Sequence, residues 1–333
     1  MIAAQALQQP NSVTTDALAT ARNPVLMFAN GYGDHYLNLP AIRALARFYQ
    51  GRLTLVGIDP AITDIARGLP LARVVALPMQ HTPTGRLFDV HKALEEIGQC
   101  DAFLSLNPWM NEPLLQLITG LGPKVSVGFF EPFDIRLQRD YSKHSCDLAF
   151  DMVHLLRPDW SPEQFAQAPT YARSDVELAE RIHAALPSEC RVLCIHPDTL
   201  PEKMWPEHCW VELIDQLVDR YPDCRVVIVG LRGIDVERCR HHEAVIPAYG
   251  LPISVSGVLL SKAGVFVGVD SVFLHIADLF RVFAVGLFGA TDASEWGVRF
   301  GPGQAVNADS MQGIEVGRVF DAAVSAFERR RTD

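Results

Sequence analysis

GVFVGVDSVFLHIADLFRVFAVGLFGATDASEWG, residues 264–297, is the stretch whose reading decides the fold. It opens with an apolar run over 264–269 that ends at Asp270 and Ser271. A strand buried on both faces reads this way, and such strands belong to parallel sheets covered by helices. A helix is predicted over 272–280, and a second apolar run over 282–289 predicts the next strand. That strand stops at another open loop, Phe288-Gly-Ala-Thr-Asp292. Free N–H groups and the helix dipole make the start of the helix a place for an anion. Ser271 can donate to a phosphate oxygen. Asp270 is itself negative, so it suits orienting the loop or binding a hydroxyl. His275, one helical turn deeper on the same face, either holds Asp270, reaches a ligand, or packs as a core histidine. The segment therefore reads as a strand–loop–helix unit that binds phosphates.

The same alternation continues on both sides. Strands are predicted over 24–30, 52–58, 72–78, 101–106 and 124–130, then over 191–197 and 225–230. Helices are predicted over 37–49, 175–186, 207–221, 236–243 and 313–331. Strands alternating with helices argue for an α/β protein whose parallel sheets are doubly wound. RPDWSPEQFAQAPT, residues 157–170, carries three prolines and little periodicity and is read as a linker. The expected division is a polar lead-in (1–22), a first Rossmann-like domain (23–156), the linker (157–170) and a second such domain (171–312). A carboxy-terminal helix (313–333), with the option of packing back on the first domain, completes the chain. No sequence repeat links the halves, but they share one architecture. In such folds ligands lie at the carboxyl ends of the strands, here in a cleft between two domains.

Composition narrows the function. The 333 residues are 49% hydrophobic and 20% charged, enough for a sizeable core. Thirty-nine acidic residues against 29 basic ones leave a net charge of −10. An acidic chain lacks the counterion release that drives nucleic-acid binding, and it suits an anionic membrane surface poorly. No apolar run of about 18–20 residues predicts a transmembrane helix, and residues 1–22 do not read as a secretory signal. The seven cysteines include no CxxC pair. They read as reduced thiols in the cytoplasm, not as a disulfide framework or zinc site. A monomer and a homodimer are both compatible with these features, and peripheral membrane contact stays open.

Two further constellations carry chemistry. Asn30-Gly-Tyr-Gly-Asp34-His35 sits between a buried strand and a helix. Gly31 and Gly33 allow close backbone approach. Asp34 is either a helix cap or a general base for an acceptor hydroxyl, and His35 is a rival for the second role. HPDTLPEKMWPEHCW, residues 196–210, places Lys203 in a loop stiffened by Pro197, Pro201 and Pro206. A lysine at a strand–helix junction suits a pyrophosphate. Trp205 and Trp210 are expected in the core.

Together these blocks resemble the heptosyltransferases of glycosyltransferase family 9. The matching residues are Gly33-Asp34 followed by Pro40-Ala-Ile-Arg43-Ala-Leu45, then His196-Pro197 and Lys203-Met-Trp205-Pro206. The most specific block is Val267-Gly-Val-Asp270-Ser271, His275, Leu287-Phe-Gly-Ala-Thr291-Asp292 and Trp296-Gly297. The resemblance implies a GT-B fold, inversion at the anomeric carbon, and neither metal nor cofactor. It implies Asp34 as catalytic base and Lys203 as stabiliser of the leaving diphosphate of an ADP-heptose-like donor. Gly33, His35, Thr199, Asp270, Ser271 and Val272 would line the nucleotide-sugar site, with His275 supporting it. Residues 230–235 and the region of Leu251 would approach the nucleoside. The sequence departs from the pattern at Val272, where glycine is frequent, and at Asp198 after Pro197. It departs again at Leu231-Arg232-Gly233, where Asp235 is left as the acidic ribose contact. The acidic balance favours a small soluble acceptor. Lipopolysaccharide core is the alternative, and a nucleotide-sugar epimerase or a non-catalytic binding protein on the same fold is a second one.

Overall fold

The computed structural model describes residues 12–329. The first eleven residues of the expected lead-in, and residues 330–333 of the expected carboxy-terminal helix, lie outside this range. The chain divides into two compact units, 1–166 and 167–333.

The first unit is built on β1 (Pro24–Phe28), β2 (Thr54–Ile58) and β3 (Arg73–Leu77). A small hairpin, β4 (Gln80–Thr82) and β5 (Gly85–Leu87), comes next, then β6 (Ala102–Ser105), β7 (Val125–Gly128) and β8 (Ile135–Arg136). Apart from the hairpin the strands form one parallel sheet in the order β3-β2-β1-β6-β7-β8. The second unit holds β9 (Arg191–His196), β10 (Cys224–Ile228), β11 (Val245–Pro247), β12 (Val265–Val269), β13 (Phe283–Phe288) and β14 (Gly303–Asn307). They are again all parallel, in the order β11-β10-β9-β12-β13-β14. Counted within its own sheet, each domain reads 3-2-1-4-5-6, the doubly wound order of dinucleotide-binding folds. The succession of strands reverses between β1 and β6 in one sheet and between β9 and β12 in the other. In folds of this order the carboxyl ends of the strands frame a ligand crevice at such a switch point, and each domain places candidate residues there.

Burial follows the apolar runs: every residue of β1 and β12 is buried. The strands absent from the sequence reading are the edges β8, β11 and β14 and the hairpin. β14 buries one residue of five, Val306, so no apolar run marks it.

Several expectations are corrected. The helix expected over 37–49 is two helices, Tyr32–Leu37 and Leu39–Tyr49, broken at Asn38. Pro40 is the cause, since it lacks an N–H and its ring would clash with the carbonyl four residues back. The break puts Asp34 inside its own short helix. The helix expected over 236–243 is two 3-10 turns, Val236–Arg238 and His242–Ala244. Their anchors Cys239 and Ala244, each 2% exposed, are five positions apart, a spacing one helix face does not provide. The lead-in is not merely polar, because Ser12–Ala19 is a helix with Leu18 fully buried and its carbonyl bonded to the Tyr49 hydroxyl. Residues 157–166 of the expected linker belong to the first unit. There Phe165 is buried beside Phe150 and Trp160, and its carbonyl accepts from Arg43 at 3.2 Å. The helix Val316–Arg329 spends its buried face, including Val319, Ala323 and Phe327, in the core of the second domain.

Candidate functional site

In the second domain the site is assembled by three strand ends. Beyond β9 the chain makes a 3-10 turn, Pro201–Lys203, closed by the Lys203 N–H on the Leu200 carbonyl at 2.9 Å. Trp205 then anchors the loop. Its ring is 1% exposed, packs edge-on against Trp210, and donates to the Ile314 carbonyl at 3.0 Å. Lys203 is thus held on a short tether, and its ammonium meets Asp270 Oδ2 at 2.7 Å. The same oxygen accepts the Thr291 hydroxyl at 2.7 Å. Asp270 is 4% exposed, so its charge is offset by one cation and one hydroxyl in a place largely withdrawn from water.

Ser271 caps the helix Val272–Leu279 in extended conformation without using its side chain as a cap. Its hydroxyl is buried and has no hydrogen-bond partner among the described residues. A buried hydroxyl normally has a partner. This one stands at a helix start, where free N–H groups favour an anion, next to the residue that holds the Lys203 ammonium. Val272 is the first residue of that helix and half-buried, and His275 is buried one turn on. The arrangement offers a cation, a hydroxyl and main-chain donors to an anionic oxygen.

His196, at the end of β9, has a different role. It is buried against Phe273, Nδ1 faces the Val229 carbonyl at 2.9 Å, and burial pulls its pKa down to about 4. Asp198 takes the Arg232 backbone N–H at 3.0 Å and its Nε at 3.2 Å, so it tethers the loop after β10. Thr199 and Leu251 are half-buried, and Asp235 is exposed at the start of its 3-10 turn.

In the first domain the end of β1 is the organising point. The Ala29 N–H donates to Asn107 Oδ1 at 2.7 Å, and Asn107 in turn donates to Ser105 at 3.1 Å, which ties the ends of β1 and β6 together. Asp34, half-buried, accepts the Gly31 N–H at 3.0 Å, so the capping role is present. Gly33 is half-buried beside it. His35, expected as the rival base and as a ligand contact, stands in the core. It is fully buried, with Nδ1 2.7 Å from the Gly31 carbonyl and Nε2 3.3 Å from the Phe28 carbonyl. Burial lowers its pKa, and both ring nitrogens are turned to main-chain carbonyls.

Sequence reasoning missed two guanidinium groups at this crevice. Arg86, on β5, donates Nε to the Ala29 carbonyl at 3.2 Å, and its hairpin is pinned by Asn111 on the Arg86 carbonyl at 2.8 Å. Burial lowers its pKa, and the Asp34 carboxylate works against that. Arg139 donates to the Pro108 carbonyl at 3.4 Å and lies over the Tyr141 ring at 4.8 Å. Neither makes a salt bridge among the described residues. No local pattern marks either arginine, because a hairpin and a loop far apart in sequence bring them to the two tied strand ends.

With this geometry in place, the sequence model of glycosyltransferase family 9 (heptosyltransferase) matches residues 138–312. The chain belongs to glycosyltransferase family 9. No curated protein sequence matches it. Among solved structures, a family 9 glycosyl transferase from Veillonella parvula superposes with a TM-score of 0.76 at 16% identity, over 93% of this chain and 98% of that one. Escherichia coli ADP-heptose lipopolysaccharide heptosyltransferase II gives 0.68 at 14% identity, over 93% and 99%. E. coli heptosyltransferase WaaC, solved with ADP, gives 0.64 at 14% identity, over 91% and 99%. At these identities the likeness establishes the shared GT-B fold. The family 9 glycosyltransferase described here thus has two Rossmann-like parallel-sheet domains. No helix among its described residues is long and apolar enough to cross a membrane.

Proposed function

We propose that this glycosyltransferase moves a heptose-like sugar from a nucleoside diphosphate to the hydroxyl of a small soluble acceptor, with inversion and without a metal ion. The observation that carries the reading is the buried, unpartnered Ser271 hydroxyl at a helix start, beside the Lys203–Asp270 pair. A diphosphate satisfies that hydroxyl, the free main-chain N–H groups and the remaining donors of Lys203 at once. Asp34 is the base. The acceptor oxygen bonds to the anomeric carbon as its proton passes to the Asp34 carboxylate. The carbon–oxygen bond to the diphosphate breaks, and its electron pair leaves on the diphosphate oxygen. Lys203 and the helix start stabilise the charge that develops there.

Two variants separate chemistry from binding. Asp34→Ala should abolish turnover while calorimetry shows nucleoside diphosphate affinity unchanged. Lys203→Ala should weaken that affinity about tenfold or more, the scale of a charge-assisted hydrogen bond. Near-normal turnover in Asp34→Ala would remove it as the base.

One observation favours the second acceptor reading, lipopolysaccharide core. Arg86 and Arg139 lie near the strand ends beside Asp34 and are held by main-chain carbonyls, with no salt bridge among the described residues, an arrangement that suits a phosphate or carboxylate on the acceptor. On that reading Arg86→Gln with Arg139→Gln should raise the KM of a phosphorylated acceptor about tenfold and leave a neutral acceptor unchanged. An equal effect on both would return the choice to the neutral small molecule.

A further inference from the structure

The ends of β9, β10 and β11 are laced together on the side of β9 away from β12. Asp198 ties the loop after β9 to Arg232, as described above. The Gly250 N–H donates to the Gly230 carbonyl at 2.8 Å, joining the loops after β10 and β11. The Tyr249 ring lies directly on Gly233, where a Cβ would stand 2.2 Å from a ring carbon. Any larger residue at 233 would lift the ring.

The surface so formed has an unusual composition. In the second domain every exposed large apolar side chain among the described residues stands on these three loops: Leu200, Met204, Leu231 and Tyr249. Leu231 is 77% exposed. Beside it the Arg232 side chain is 72% exposed, although Asp198 clamps one edge of its guanidinium. Concentrated exposed apolar groups mark a binding surface. A phosphate has no use for them, whereas a planar base does. Leu200 and Met204 flank Lys203 on its own loop, and Leu231 and Tyr249 stand on the loops of the next two strands, each strand about 4.8 Å from its neighbour, so the shelf starts beside Lys203 and runs outward from it, within reach of a nucleoside attached to the bound diphosphate.

We infer that the donor's base rests on this shelf and that Arg232 selects a base with a carbonyl oxygen on its free edge, guanine or uracil, over adenine. The inference rests on the diphosphate site proposed above. Tyr249 and Leu231 supply a face for stacking, which every base accepts. Selection falls to the charged group. A guanidinium only donates, and Asp198 fixes its orientation. Its fork matches the O6 and N7 acceptors of guanine, and a single carbonyl of uracil accepts one arm of it. Adenine places its amino group opposite the fork, donor against donor, so one N–H on each side loses its partner.

Calorimetry with GDP, UDP and ADP on the full chain tests this. GDP or UDP should bind about tenfold or more tighter than ADP. Arg232→Gln should weaken the oxo nucleotide to the level of ADP and leave ADP within about twofold. Arg232→Lys, which keeps a cation beside Asp198 but loses the fork, should also lose the guanine preference, and circular dichroism should show both variants folded. ADP binding as tightly as the others, or Arg232→Gln weakening all three equally, would overturn the inference and leave the diphosphate site standing. Failure of all three nucleotides to bind would remove the diphosphate site, and the inference with it.

Discussion

His196 shows how a motif residue can serve structure. Its ring is 4% exposed, and its pKa is lowered from 6.5 to about 4 because burial disfavours the imidazolium. A depressed folded-state pKa means that the unfolded chain binds the proton first. The stability this group contributes is therefore fully present above pH 6.5 and is lost as pH falls through the window from 6.5 to 4. By pH 5 the loss from this one ring is about 2 kcal/mol. His35 acts in the same direction, since burial lowers its pKa as well. Urea unfolding at pH 7 and pH 5 should show a clear drop in midpoint, and His196→Gln should flatten the difference. An unchanged midpoint in the wild-type chain between these pH values would contradict the neutral, buried assignment. Asp34 makes the complementary point, because its capping bond to Gly31 and its proposed work as a base use one carboxylate with more than one lone pair.

Between elements, Asn107 carries the connection that matters most for the first domain. It is 1% exposed and holds the Ala29 N–H at the point where β1 and β6 part. Asn107→Ala leaves that N–H buried without its acceptor, which costs about 1–3 kcal/mol. The turn that carries Asp34 starts at the same residue. Asn107→Ala should therefore lower the unfolding midpoint and cut kcat more than it changes nucleotide affinity, because the nucleotide site is proposed in the other domain. Equal losses in kcat and nucleotide affinity would argue against this division. The sequence showed β1, β9, β12 and β13 as apolar runs, since a strand covered on both faces must be apolar throughout. β8, β11 and β14 escaped notice because an edge strand needs only a residue or two in the core. The hairpin β4–β5 escaped for the same reason, and Arg86 with it.

For the molecule as a whole, two separate sheets with separate cores imply separable stability. The first core gathers Val25, Phe103 and Leu117, and the second gathers Trp205, Trp210 and Phe327. Denaturation is expected to depart from a single two-state transition. A saturating nucleoside diphosphate should raise only the transition of the second domain, by about 2.7 kcal/mol at a hundredfold excess over Kd. Tryptophan fluorescence, with Trp205 and Trp210 in the second domain and Trp109 and Trp160 in the first, can follow both transitions once each is assigned by single replacement. A single transition shifted as a unit would show that the two cores unfold together.

The stretch 264–297 determined by itself that a buried strand ends at Asp270-Ser271 and that a helix starts there, because apolar runs and helix starts are local properties of the chain. Periodicity and turn residues likewise determined the doubly wound class, and Gly33-Asp34 and Lys203-Met-Trp205-Pro206 carried the family resemblance. Tertiary structure alone decided the partners. Lys203 reaches Asp270 across 67 positions, and Asp198 reaches Arg232 across 34. It also withdrew His35 from the site by turning both nitrogens to carbonyls, and it brought Arg86 and Arg139 to the tied ends of β1 and β6. These contacts depend on which strand ends the sheet order makes neighbours, and no periodicity along the chain encodes that order.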